Sequence, residues 1–382
     1  MKRPRIRNYI SYQELKSPLK NNEKQVDDLF KALLSPKMTE GNIELFKFLG
    51  ARSALHWYLQ AAQKIKTKNE VIVPGFTCIE VIKSVTEAGF TPVLVDLETR
   101  NFTYNPDDLA RKVTSKTFAI IVQHMFGKCC NTSLIQDLSI KWKIKVIEDC
   151  ALTLGKATNE EGLSIGDIGN CLIYSFGKSK PINNYLGGIC LLINEKNLHK
   201  FREDYNKIPD LPLFRNRIYQ FFYNFEKFIF NSKSLPELGH LILLLTKVIF
   251  KLLNFPYHLS ENDAQLNYYK LPKYFEKLLV CNLINIRDIH KTKYNNQKIV
   301  LEYLSPANFE LDKIYYRNLN KGMVLYNRIP LKIKDPVLFN RYQKKFPKKY
   351  NFYSKSIKIS SYQTDILPGC EELYNEIIQI PI

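Results

Sequence analysis

Short apolar runs alternate with longer amphipathic stretches from about residue 50 to residue 192. Val71-Ile72-Val73, Val93-Leu94-Val95, Phe118 to Val122, Val146-Ile147, Cys171 to Tyr174 and Gly188 to Ile193 are runs of strand length. Between them, apolar residues recur at helical spacing in 53–65, 79–88, 106–112 and 134–141. Pro74 stops the first of these strands, Gly89 ends the second helix, and Asn105 stands where it would cap the third. Continuous apolar strands alternating with helices predict a mostly parallel sheet covered on both faces. Such sheets gather ligands at the carboxyl ends of their strands. Gly75, Asp96, His124, Asp149 and Ser175 all fall at those ends.

The pattern changes after residue 200. Residues 214–230 are rich in Phe, Tyr, Arg and Lys, and 238–253 are nearly all apolar, broken by His240, Lys247 and Lys251. A bilayer span takes about 20 predominantly apolar residues, so this stretch is short and charged for one. Two readings stand for 201–258: a helical element packed on protein, including a second subunit, or a peripheral membrane contact with its lysines at the headgroups. Beyond it, helical spacing predicts helices over 262–280, 285–304 and 371–378, and strands at 315–317 and 322–326. The expected division is a large domain over 1–200, an inserted helical, apolar and basic segment over 201–258, and a smaller α+β domain over 259–382. No internal repeat or low-complexity linker is visible.

At 382 residues with 45% hydrophobic positions, 23 Phe and 23 Tyr, the chain can build a large core. The eight cysteines lack C-x-x-C spacing and sit mostly in apolar runs, which reads as buried free thiols in a reducing compartment, without disulfides or metal ligation. The basic Met1 to Arg7 is followed by no apolar signal core, so the expected location is the cytoplasm, at the inner face of the membrane if 201–258 binds lipid. A net charge of +19 favours anionic partners. It is spread along the chain, however, and no nucleic-acid-binding module is recognisable.

Candidate chemistry centres on two segments. Val146-Ile147-Glu148-Asp149-Cys150-Ala151 reads as a buried strand ending in a carboxylate. Lys180 follows in the Ser-containing turn Ser175-Phe176-Gly177-Lys178-Ser179-Lys180. Pyridoxal phosphate needs this pair of groups: an amine that bonds to its aldehyde, and a carboxylate that keeps its ring nitrogen protonated.

Seven segments in order resemble the DegT/DnrJ/StrS family of pyridoxal-phosphate-dependent sugar aminotransferases. Gly50 to Leu55 resembles its phosphate-binding turn, Ile72 to Cys78 its "VP-x-[FY]-T", and Ala88 to Asp96 its "AG-x-x-P-V-x-x-D". Gln123 to Gly127 resembles "V-H-[LM]-[FY]-G", Val146 to Ala151 "VIED-x-A", Gly166 to Gly169 "GD-x-G", and Ser175 to Lys180 "SF-x-x-[ST]-K". The resemblance is close over 45–195, loose over 259–382, and slight over 201–255. It implies a three-layer α/β transferase fold with a mostly parallel sheet and a smaller C-terminal α+β domain.

It further implies that Lys180 carries the cofactor and moves protons, and that Asp149 pairs with the ring nitrogen. Ala51 and Arg52 open a helix whose N–H groups hold the phosphate, joined by the Ser175 hydroxyl. Cys78 stands where many relatives place an aromatic residue against the ring. His124 and Leu152 are candidate substrate residues, with a satisfied core histidine as the other reading of His124. The implied activity moves an amino group from an amino acid, expected to be glutamate, to a keto-sugar nucleotide for surface polysaccharide or lipopolysaccharide synthesis, in a homodimer.

Three departures stand out: Leu152 where the family has Gln or His, Pro256 where many members have the Asn that reaches across the dimer, and Arg52 in place of Thr. They keep two alternatives open, a sugar dehydratase and a non-catalytic, membrane-associated regulatory protein. Lys180 argues against the first, because related dehydratases carry His there.

Overall fold

A computed structural model describes residues 23–34, 41–63, 68–99, 101–155, 157–159, 161–177, 180–231, 268–304, 324–325, 328–332 and 367–381. The expected alternation is present. In chain order, the elements up to the sheet's last strand are α1 (Glu23–Lys31), β1 (Ile43–Phe48), α2 (Ala51–Gln63), β2 (Glu70–Pro74), α3 (Ile79–Glu87), β3 (Thr91–Val95), α4 (Pro106–Lys112), β4 (Thr117–Gln123), α5 (Ser133–Trp142), β5 (Lys145–Asp149), β6 (Leu154–Gly155), β7 (Cys171–Ser175) and β8 (Gly188–Ile193). There follow α6 (Leu198–Asn206), α7 (Leu213–Asn231), α8 (Lys273–Ile284), α9 (Ile286–Leu304), β9 (Val324–Leu325), β10 (Arg328–Lys332), α10 (Pro368–Glu376) and β11 (Ile377–Pro381).

Seven strands form one sheet in the order β1-β8-β7-β5-β4-β2-β3. The run from β3 to β7 is parallel, and β8 pairs antiparallel with β7 on one side and β1 on the other. The edge strand β1 is an addition to the elements expected from the sequence. Its Ile-Glu-Leu-Phe-Lys-Phe places a charge at every third position and lacks the unbroken apolar run that marks the buried strands.

Burial is nearly continuous through the central strands, as a sheet covered on both faces requires, and successive side chains alternate between the two faces. In β7 and β8, Cys171, Ile173, Cys190 and Leu192 belong to the core on one face, which α2 and α3 complete with Leu55, Leu59, Ile82 and Val85. Leu172, Tyr174, Ile189 and Leu191 point the other way, toward Phe30 of α1 and Leu279 and Val280 of α8. The result is three layers. Asn105 caps α4 as expected, its side chain accepting from the N–H groups of Asp107 and Asp108 at 3.1 and 3.0 Å. Gly89 closes α3 with φ of +87°, a conformation that costs glycine little.

Two C-terminal boundaries differ from the sequence expectation. The helix expected over 262–280 begins after Pro272 and runs to Ile284, since proline is readily accommodated at a helix start but not in its interior. The terminal helix ends at Glu376, and Ile377–Pro381 pairs with β10 as a strand. The β-branched pair Ile377-Ile378, continued by Ile380, suits a ladder better than a helix. The 285–304 helix is present as α9. Expected strands at 315–317, the apolar run 238–253 and the boundary near residue 258 lie outside the described residues. All eight cysteines are free thiols, six of them buried. Burial pushes the Cys130 thiol up to about 12.

Candidate active site

The site is built where β2, β4, β5 and β7 end. Asp149 is the last residue of β5 and pairs in register with Gln123, the last of β4. Neighbours in register on parallel strands share a face, so the two side chains lie together. The Asp149 carboxylate accepts the Ala151 N–H on Oδ1 at 2.9 Å and the Gln123 amide on Oδ2 at 3.0 Å. Each carboxylate oxygen can accept twice, which leaves capacity for a further donor. Asp149 is half-buried, so such a donor can reach it.

Lys180 lies beyond β7 in a turn closed by its own N–H to the Gly177 carbonyl at 3.1 Å. Its side chain is half-buried. Lys180 and Asp149 both act on the Cys78 thiol, which starts α3 just after β2. Burial pushes that thiol's pKa up, the Lys180 ammonium draws it partly back, and Asp149 adds to the rise. Lys180 and Asp149 therefore each lie within electrostatic range of Cys78. The protonated Cys78 is a small apolar wall of the site rather than a nucleophile.

The other end of the site is fixed by register across three strands. Ser175 pairs with Gly188, and Gly188 pairs with Phe48. The chain turns after Phe48 into α2, with Gly50 bridging Gly187. A Cβ on Gly188 would collide with the Gly50 backbone and the Ala51 nitrogen. Only glycine lets the first turn of α2 come this close to the sheet, beside Ser175. That turn offers N–H groups and the positive end of a helix dipole.

Arg52 is placed differently from expectation. Its guanidinium reaches Glu80 of α3 at 2.6 Å and Glu87 at 3.1 Å. Two carboxylates of the adjoining helix hold the side chain. Its backbone, at the start of α2, keeps the expected place.

His124 takes the second of its two readings. It is fully buried, and its Nε2 lies 2.7 Å from Glu148. The Cys130 N–H donates to Nδ1 at 3.1 Å, so the ring proton sits on Nε2 and is donated to Glu148. Glu148 also accepts the Gly166 and Gly169 N–H groups, both at 2.7 Å. The "GD-x-G" loop is thus tied to the strand by a buried carboxylate on the face opposite Asp149. Glu148→Ala removes the acceptor for all three donors, and the expected loss is about 3–5 kcal/mol of stability. The urea midpoint of the variant checks it. Leu152 is half-buried and packs on the main core.

Sequence reasoning missed Gln123 and Thr77 as site members. Gln123 lies inside a quoted motif, but nothing local shows that its amide reaches Asp149, 26 residues away in the chain, and the Thr77 hydroxyl. A groove of about 520 Å³ lined by Trp57, Gln60, Asp204, Lys207 and Tyr268 contains none of these groups.

The donors present fit pyridoxal phosphate. A lysine and a carboxylate with spare acceptor capacity both lie within electrostatic range of Cys78, and a helix N-terminus comes beside a serine at the other end. A three-layer α/β sheet with these groups at its strand ends has the architecture of a pyridoxal-phosphate-dependent transferase. Residues 49–207 match the DegT/DnrJ/EryC1/StrS aminotransferase family.

Similar proteins agree. A GDP-perosamine synthase of Vibrio cholerae is 32% identical over 136 residues, 36% of each chain. A UDP-2-acetamido-2-deoxy-3-oxo-D-glucuronate aminotransferase of Pseudomonas aeruginosa is 29% identical over 199 residues, 47% of this chain and 55% of that one. The matched stretches thus span between about a third and about half of these relatives' lengths. Among solved structures, DesI with its TDP-sugar product superposes with a TM-score of 0.65 at 15% identity, covering 98% of this chain and 86% of that one. The sugar aminotransferase Spr1654 of Streptococcus pneumoniae gives 0.64 at 14% identity, covering 98% and 92%. At such identities these structures speak for the fold.

Proposed function

We propose that the protein is an aminotransferase that moves an amino group from an amino acid, glutamate in the first instance, to the keto group of a nucleotide-linked sugar. The observation that carries this reading is the placing of Asp149 and Ser175 at the ends of neighbouring strands, with Lys180 in the turn that follows β7 and the start of α2 brought beside Ser175. Bound there, pyridoxal phosphate would supply an electrophilic aldehyde and an electron-accepting ring. Lys180 would hold the aldehyde and, once released by the incoming amine, carry a proton between the substrate carbon and the cofactor carbon. Asp149 would keep the ring nitrogen protonated, and Ser175 with the Ala51 and Arg52 N–H groups would hold the phosphate. Cys78 leaves the ring face less covered than an aromatic residue would.

The test supplies pyridoxal phosphate and glutamate, then a keto-sugar nucleotide. The expected results are one 2-oxoglutarate per amine delivered and a sugar product that exchanges oxygen for nitrogen by mass. A product that loses the sugar oxygen without gaining nitrogen would make the protein a dehydratase. Absence of both products would favour the regulatory alternative.

The product fits surface polysaccharide synthesis in the cytoplasm, and a homodimer is the proposed assembly. Among the described residues, no helix is long and apolar enough to cross a membrane. On α7, Leu213, Phe214 and Phe221 are 77%, 69% and 61% exposed, with Arg217 beside them. Covering such a face stabilises it, and a second subunit or an anionic bilayer surface both suit it. Each basic residue near such a bilayer adds about 1 kcal/mol. Flotation with anionic vesicles at low salt separates the two. Binding that is lost in a Phe214→Ser, Phe221→Ser variant supports the membrane contact, and its absence in the intact chain leaves the subunit contact.

A further inference from the structure

Gln123 ends β4 with its side chain only 7% exposed. Its Nε2 donates to the Thr77 hydroxyl at 2.7 Å and to Asp149 Oδ2 at 3.0 Å. The orientation of the amide follows from its neighbours. Asp149 as a carboxylate only accepts, so turning the amide over would set oxygen against oxygen. In the orientation that serves Asp149, the Gln123 Oε1 is buried with no hydrogen-bond partner among the described residues. An orphaned buried acceptor is unfavourable, and native structures rarely keep one without a reason. The fold therefore tolerates a cost on one side of this amide while using the other side to hold a carboxylate in the candidate site.

We propose that Gln123, anchored by Thr77, is a positioning residue for Asp149. It donates to Oδ2 while the Ala151 N–H holds Oδ1, so the carboxylate is fixed in rotation before any ligand arrives. The remaining lone pairs are then held in fixed directions for a protonated nitrogen heterocycle. Preorganising an acceptor in this way raises affinity by removing the ordering cost from the binding step. The contribution passes wholly through the ring nitrogen. This separates Gln123 from residues that merely shape the pocket. The inference rests on the proposed use of pyridoxal phosphate by this site.

The test measures binding, not turnover. Apo-protein of wild type, Gln123→Met, Gln123→Glu and Thr77→Val is titrated by equilibrium dialysis with pyridoxal phosphate. The same titration is run with its 1-deaza analogue, whose ring nitrogen is replaced by C–H. Gln123→Met removes the donor and is expected to weaken pyridoxal phosphate binding about tenfold. Gln123→Glu sets a second acceptor against Asp149 and is expected to cost more. Thr77→Val loosens the anchor and should cost a few-fold. The deaza analogue should bind all four proteins within about twofold of one another, because it cannot use Asp149 as an acceptor. Affinity for pyridoxal phosphate that is unchanged in the Met and Glu variants overturns the proposal. So does an equal loss for both ligands. Gln123→Glu is isosteric, so the comparison stands if thermal melting shows that the Met variant does not fold. Wild-type protein that binds neither ligand would defeat the proposed cofactor use itself, an outcome distinct from a variant series that shows no difference.

Discussion

Lys180→Ala protein, incubated with pyridoxal phosphate and reduced with borohydride, is expected to carry no pyridoxyl group, whereas the wild-type chain carries one on the peptide containing Lys180. The half-buried Lys180 side chain stands within electrostatic reach of Cys78, at the point where Asp149 also acts. No other group named in that cluster is a primary amine. Alanine at this position removes both the bond to the aldehyde and the base that moves the proton. Loss of a positioned acid–base group alone lowers rates by about 10²–10⁴-fold, so amine transfer should fall by at least that much. Phosphate-end contacts do not involve Lys180, and the variant should still bind pyridoxal phosphate reversibly. A label found on another lysine, or turnover near wild type in Lys180→Ala, would remove Lys180 from the mechanism.

Asp149→Asn is the second large effect. The amide keeps the size of the carboxylate and can still accept the Ala151 N–H through its oxygen. It cannot neutralise a protonated ring nitrogen, and with its oxygen toward the Ala151 N–H its NH₂ faces the Gln123 amide. Truncating one side of a hydrogen-bonded charge pair in a desolvated site costs about 2–5 kcal/mol, so turnover should drop roughly 30- to 5,000-fold. The fold should survive, because the main core does not depend on Asp149. The check pairs steady-state rates with circular dichroism and a melting curve. A variant that melts like wild type and turns over at a wild-type rate would show that the carboxylate takes no part.

Much of this site was legible in the sequence, for a local reason. A buried parallel strand is an unbroken apolar run, and the polar residue that ends it is marked by contrast with what precedes it. Asp149 and Ser175 could be placed at strand ends on that basis. Lys180 could be tied to them through the order of seven short segments, each weak alone. Asn105 as a cap and Gly89 as a helix stop were equally local, and both stand as expected. Where the expectation slipped, a competing local rule governed. Pro272 set the start of α8, and β-branched residues turned the end of the chain into a strand.

Side-chain partnerships were another matter. Arg52 reads as a phosphate ligand beside a helix N-terminus, yet Glu80 and Glu87 hold its guanidinium because α2 packs on α3. His124 reads equally as site or core. Its burial against Glu148, with the Cys130 N–H on the other nitrogen, decides for the core.

By itself, then, the sequence determined the alternating α/β architecture covered on both faces and the placing of Asp149 and Ser175 at strand ends, because periodicity and chain order are properties of neighbours. Only the tertiary structure decided that β1 closes the sheet's edge, that Gly188 admits the start of α2 beside Ser175, and that Gln123 holds Asp149. Each of these depends on register between strands far apart in the chain, and register is set by the packing of the whole sheet.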